Sequence, residues 1–173
     1  SMLSPGLTFV AYHHFTAAPC AMTRHLGLST PPDVFWRHLD YFRRNYNVVG
    51  LDQVLSGRLP ERPLLISIDD CYRSVMDTAA PMLKAARMPA VLFLNPEPAL
   101  AARVPLDNVL SLAIDELSLE SVAEMIAPGQ DRASVGELVT GPIARMPPAA
   151  RTELKNRLLA ALGVEEAELH AES

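Results

Sequence analysis

Leu64-Leu65-Ile66-Ser67-Ile68-Asp69-Asp70-Cys71-Tyr72-Arg73 begins as an apolar, β-branched run and ends in two adjacent carboxylates, after which the pattern turns helical. The run reads as a strand buried on both faces, the kind found inside parallel sheets. In parallel α/β architectures, ligands gather beyond the carboxyl ends of strands, on the loops that lead into the next helix. Asp69 and Asp70 stand at that edge.

The elements on either side extend the pattern. Leu7 to Tyr12 reads as a first strand, with His13 and His14 at its carboxyl end. The stretch from Thr16 to Thr30 reads as a loop. Ser29 and Thr30 ahead of Pro31-Pro32-Asp33 mark a helix start, and Phe35, Leu39, Phe42 and Tyr46 recur at helical spacing. Val48-Val49-Gly50-Leu51 is a short apolar run, Asp52 to Leu59 a brief helical turn, and Pro60-Glu61-Arg62-Pro63 a loop into the strand. A second helix is predicted from Arg73 to Arg87, with Val75, Ala79, Met82, Leu83 and Ala86 inward, and Ala90 to Leu94 is predicted as another buried strand. Strand, helix, strand, helix, strand implies a parallel sheet of three strands flanked by helices.

After Pro98 only helical periodicity remains, over Leu106 to Ile126 and Pro147 to Leu162, with Gly163 placed to end the last helix. The expected class is therefore α/β: a partial (β/α) barrel with parallel strands over residues 1–98, followed by a helical insertion or cap over 99–173. Such a sheet has an open edge and an unfinished apolar face. Sequence beyond this chain, the helical segment or a second copy would each cover the gap, and the open edge predicts homo-oligomerisation.

Composition narrows the function classes. The chain has 173 residues, 49% of them hydrophobic and 20% charged, enough for a packed core. A net charge of -5 with no basic stripe gives no footprint for nucleic acid. No apolar run approaches the ~20 residues of a membrane helix, and no basic region precedes an apolar one at the start, which makes a cytoplasmic location the default expectation. Ser1 ahead of Met2 reads as an expression remnant. Cys20 and Cys71 are too far apart for a Cys-x-x-Cys site and are expected as free thiols.

An aspartate pair after a strand has a plain reading, since Asp caps helices and favours a first turn. The ordered set around it points further. Tyr12-His13-His14, the helix Val34 to Tyr46 with Val48-Val49, Ser67-Ile68-Asp69-Asp70-Cys71-Tyr72-Arg73-Ser74, then Ala80-Pro81, Leu83 and Pro89-Ala90-Val91-Leu92-Phe93-Leu94 follow one another. In this order the chain resembles, over Leu7 to Asn95, the amino-terminal half of the polysaccharide deacetylases, carbohydrate esterases sharing the chitooligosaccharide deacetylase homology domain. Their first motif, Thr-Phe-Asp-Asp-Gly, stands here as Ser67-Ile68-Asp69-Asp70-Cys71.

The resemblance implies a distorted (β/α) barrel that removes an acetyl group from an acetylated amino sugar or polysaccharide with one divalent metal, such as Zn or Co. It would make Asp69 the general base and Asp70 a metal ligand, with His13 lining the substrate pocket, although a satisfied or exposed histidine also fits there; Arg73, in the first helical turn, reads either as orienting Asp69 or as a surface residue. A metal-bound water and a neighbouring carboxylate suit that hydrolysis. The departures are as specific. The motif His-Ser/Thr-x-x-His, which supplies two metal ligands, has no counterpart among His13, His14, His25, His38 and His170. The later motifs carrying a catalytic Arg, a substrate-facing aromatic and an acid His are also missing, and Cys71 replaces a glycine. The expectation is a deacetylase-like chain with an incomplete metal site, inactive alone, or a catalytically inactive domain used for binding or assembly. Of the histidines, His25 and His38 are expected to be solvated. Phosphoryl transfer fits less well, because such sites want Asp-x-Asp and adjacent carboxylates alternate faces.

Overall fold

A computed structural model describes residues 6–70, 72–95, 103–129 and 134–172, apart from the side chains of 170–172. Cys71 and the side chain of His170 thus lie outside the described residues. Two compact units divide the chain, Ser1–Ala18 with Leu28–Asn95, and Pro19–Gly27 with Pro96–Ser173.

The first unit is α/β, with parallel strands joined through helices as at the opening of a (β/α) barrel. Its elements are β1 (Thr8–Tyr12), α1 (Pro32–Asn45), β2 (Asn47–Val48), α2 (Leu51–Leu55), β3 (Pro63–Asp69), a π-type turn (Val75–Ala79) leading into α3 (Ala80–Ala86), and β4 (Val91–Phe93). The quoted run forms β3, the centre of the sheet. β1 pairs along it from Thr8↔Leu64 to Tyr12↔Ile68. β2 pairs with Pro63 and Leu64, and β4 with Ser67, Ile68 and Asp69, all in parallel. A strand has two edges, so β2 and β4 share the edge opposite β1, one at each end of β3. The sheet therefore has four strands rather than three, the extra one being the two-residue β2.

Leu64, Leu65, Ile66 and Ile68 are all buried, as a strand covered on both faces requires. Leu64, Ile66 and Ile68 pack with Tyr12, Phe15, Phe35, Leu39 and Phe42, and with Val75, Ala79, Leu83 and Ala86. Phe35, Leu39 and Phe42 come from the inward face of α1, while Trp36 turns outward. The π-type turn has a sequence cause: Pro81 cannot donate to the helix ladder, and the Ala80 amide reaches back to the Val75 carbonyl.

The apolar run 90–94 does form a strand, but not a buried one. Leu92 is 38% exposed, Phe93 54% and Leu94 61%. Among the described residues β4 pairs only with β3, which leaves its other edge and much of its surface unpartnered.

The second unit is helical: α4 (Leu106–Leu117), α5 (Leu119–Ile126), α6 (Val135–Leu138) with a second π-type segment (Val139–Ile143), α7 (Pro148–Leu162) and α8 (Glu166–Glu172). The helix expected from 106 to 126 breaks at Ser118, whose φ is +86° and whose hydroxyl accepts from the Ser121 amide to start α5. Gly163 ends α7 at φ +68°, in the left-handed region that glycine occupies without strain. Val109, Leu110, Val122, Leu138 and Leu158 are fully buried in its core. The expected loop after β1 is divided. Pro19–Gly27 belongs to this unit, where Ser111 Oγ donates to the Ala21 carbonyl at 2.6 Å and Asn108 Nδ2 to that of Met22 at 3.1 Å. No helix among the described residues is long and apolar enough to cross a membrane.

Candidate functional site

Parallel register decides which residues meet at the carboxyl edge of the sheet. Because Tyr12 pairs with Ile68, the next residues, His13 and Asp69, come out side by side, and Phe93 pairs with Asp69 from the other edge. His13 Nε2 lies 3.8 Å from Asp69 Oδ2, with side chains 27% and 35% exposed. The other carboxylate oxygen, Asp69 Oδ1, is buried without a hydrogen-bond partner among the described residues. An acceptor withdrawn from water and left unpaired costs about 1–3 kcal/mol, a penalty that a donor arriving with a ligand would relieve.

Asp70 takes a different course. Its backbone is left-handed, with φ +67°, and its side chain is exposed. A non-glycine residue held in that region at a strand-to-helix turn is strained, and such strain gathers at functional turns. The two carboxylates therefore diverge, Asp69 inward beside His13 and Asp70 outward.

The remaining sequence-picked residues have partners of their own. His14 Nδ1 lies 2.9 Å from Ser29 Oγ, and its ring sits 4.9 Å from that of Tyr72; burial pushes its pKa below the usual histidine value. His13 and His14 thus turn to different partners. Arg73, read either as orienting Asp69 or as a surface residue, lies 3.2 Å from Asp77 on the exposed side of its helix, the ordinary i, i+4 partner of a helical arginine. His38, expected to be solvated, lies with Nδ1 2.9 Å from the Tyr12 hydroxyl, whose pKa burial pushes up to about 12. That hydroxyl stays protonated, and the direction of its bond to Nδ1 follows the imidazole tautomer. His25, also expected to be solvated, lies 3.2 Å from Asp115, which Arg24 holds at 2.6 Å. The hydrogen bond from His25, with Arg24 beside it, keeps the Asp115 carboxyl below its usual range despite desolvation.

These engagements bear on the implied metal. Among the described residues no group of three or more His, Cys, Asp or Glu is placed to hold a metal ion. Each of the four histidines whose side chains are described already has a partner. The residues present do not fit a complete metal centre. Cys20 is an exposed free thiol. Sequence reading missed Ser29, taken only as a helix start, and gave no role to Ser74, whose hydroxyl accepts from the Phe15 amide at 3.0 Å. The available signal was a buried aromatic placed directly after two strand-end histidines.

No family model and no curated protein matches the chain. Solved structures do show likeness. A de-N-acetylase from Aggregatibacter actinomycetemcomitans is 25% identical over 50% of this chain and 36% of its own, with a TM-score of 0.44. The deacetylase PplD of Streptococcus pyogenes, solved with acetate, is 16% identical over 88% of this chain and 80% of its own, at a TM-score of 0.48. IcaB from Ammonifex degensii is 20% identical over 93% and 71%, also at 0.48. The chain thus spans about a third of the first of these proteins. What it does must be read from its own residues.

Proposed function

We propose that residues 1–98 are the Asp-Asp-bearing part of a polysaccharide deacetylase-like barrel and that 99–173 are its helical insertion or cap. The reaction class is hydrolysis of an acetyl group from an acetylated amino sugar or polysaccharide. The observation that carries this reading is Asp69: a carboxylate at the carboxyl edge of the central strand, next to His13, with one oxygen buried and unpartnered among the described residues. In that reading Asp69 takes the proton of the attacking water. His13 lines the acetyl pocket beside it, and Arg73, exposed on the same turn, meets the polymer from outside. Asp70 is the one carboxylate turned outward for a metal such as Zn or Co. The imidazoles such an ion needs are not gathered by the described residues, so the chain alone is proposed to be inactive.

The same observation favours a second reading, a catalytically inactive deacetylase-like domain that binds sugar or assembles with a partner, including another copy through the β4 edge. One pair of measurements tests both. Acetate release from an N-acetylglucosamine oligomer is assayed with and without Zn²⁺ or Co²⁺, and the oligomer is titrated into isotope-labelled protein. Shifts at His13 that vanish in Asp69→Ala, with no acetate released, are expected. Metal-dependent release lost in Asp70→Ala would overturn the claim of incompleteness. A titration that leaves the His13 and Phe93 signals unmoved at millimolar sugar would end the deacetylase reading for this chain.

A further inference from the structure

Three consecutive residues after β1 are each tied to Asp69 or to the turn that follows it. His13 faces Asp69 at 3.8 Å, the His14 ring lies 4.9 Å from that of Tyr72, and the Phe15 amide donates to Ser74 Oγ at 3.0 Å. The rungs differ in kind. An ion contact at 3.8 Å and a tilted ring pair tolerate displacement, whereas an N–H···O bond weakens steeply with angle. The third rung also starts from a fixed point. Phe15 is 2% exposed, with its ring 4.6 Å from Phe35 and 5.8 Å from Tyr12. A buried amide requires an acceptor, and the Ser74 hydroxyl provides it from the first helical turn after the aspartate pair.

We infer that Ser74 is a positioning residue for this edge: beyond the last ladder pair, Tyr12↔Ile68, its hydroxyl, held by the Phe15 amide, ties the loop after β1 to the turn after Asp69 and so steadies the His13–Asp69 separation. Its functional meaning rests on the deacetylase reading, but the geometry does not. Without the hydroxyl, the stretch beyond the Tyr12↔Ile68 pair keeps the two tolerant rungs but loses its directional one, and the His13–Asp69 separation loosens.

The test compares Ser74→Ala, Ser74→Thr and Ser74→Cys, with Gln53→Ala as a control that removes a comparable bond to the Gly50 amide elsewhere in the unit. The readout is the change in ¹⁵N shift of His13 Nε2 caused by Asp69→Asn at fixed pH in each background. We expect the full change in wild type, Ser74→Thr and Gln53→Ala, less than half of it in Ser74→Ala, and an intermediate value in Ser74→Cys, since sulfur is a weaker acceptor. The inference is overturned if Ser74→Ala keeps the full change while Phe15 amide exchange accelerates, or if wild type shows no change. Should Ser74→Ala not fold, Ser74→Cys decides alone, and a full change there overturns it. Neither metal nor sugar enters the readout, so its failure and that of the acetate assay are separate events.

Discussion

Asp70 is where strain and chemistry can be separated by substitution. An L-residue in the left-handed region brings Cβ against the following carbonyl, at roughly 1–2 kcal/mol, and Asp is among the few side chains that tolerate it. Alanine at position 70 bears that cost without the local polar compensation. Glycine avoids it but gives up roughly 0.5–1 kcal/mol in backbone entropy. The difference leaves Asp70→Gly about 0.5–1 kcal/mol more stable than Asp70→Ala. The sole tryptophan, Trp36, lies on α1 in the same unit as Asp70, so its fluorescence follows unfolding of that unit. With an m-value of about 1 kcal/mol/M in urea, the midpoints of the two variants should differ by about 0.5–1 M, glycine being the higher. Equal midpoints, or alanine above glycine, would show that the φ of +67° carries no strain and would remove the argument that this turn is held for a purpose. Both variants lack the carboxylate, so any ligand effect of Asp70 should be lost equally in each.

Other substitutions test the surrounding polar contacts. Tyr12→Phe removes the 2.9 Å bond to His38 and should cost about 1 kcal/mol near neutrality. Because burial raises the Tyr12 hydroxyl from 10.0 to about 12, its contribution is complete below pH 10 and declines as pH rises towards 12; the variant should lack that part of the alkaline loss, read from Trp36 urea midpoints. His14 has the opposite sign. Burial lowers its pKa from 6.5, so the unfolded chain binds its proton more readily and stability falls as pH drops below about 6.5. Replacing it as His14→Asn should flatten the slope between pH 7 and 5.5, and an unchanged slope would contradict the burial. In the helical unit Lys155 Nζ lies 2.7 Å from Glu166 Oε1, with side chains 14% and 28% exposed. Burial works against that carboxylate, but the bonds from Lys155 and the Val104 amide outweigh it and hold its pKa low. Lys155→Met should therefore cost about 1–2 kcal/mol, measured as faster amide exchange along α7.

The parts of the fold that follow from one-dimensional patterns were legible. The apolar run 64–68 and the helical spacing of Phe35, Leu39 and Phe42 each specify a buried face, and the chain buries them. What depends on pairing was not. β2 is two residues long and exists only because Asn47 and Val48 lie against Pro63 and Leu64, a contact that no local pattern encodes. The run 90–94 is apolar whether or not anything covers it, so the sequence could not show that Leu92, Phe93 and Leu94 remain exposed. The break at Ser118 hid inside unbroken apolar periodicity, although a serine with a helix on its far side was a capping signal. Assignment of Pro19–Gly27 to the helical unit rests on Asn108 and Ser111, polar residues on a helix face that would otherwise read as core.

For the site, strand ends could be read but side-chain partners could not. Register follows from β1 and β3 being adjacent and parallel, and it brings His13 out beside Asp69. The fate of the other histidines is set by contacts between residues distant in sequence: Tyr12 with His38, Ser29 with His14, Asp115 with His25. These partners matter to function because an imidazole that already holds a hydrogen bond can ligate a metal through its other nitrogen only where that nitrogen faces the ion. Among the described residues the engaged histidines are spread over β1's end, α1 and the helical unit, and the one placed against a carboxylate of the aspartate pair is His13. The missing His-x-x-x-His spacing is thus not made good by histidines drawn from elsewhere among the described residues, and Asp69, whose Oδ1 is buried without a partner among them, is the group on which the proposed reading rests.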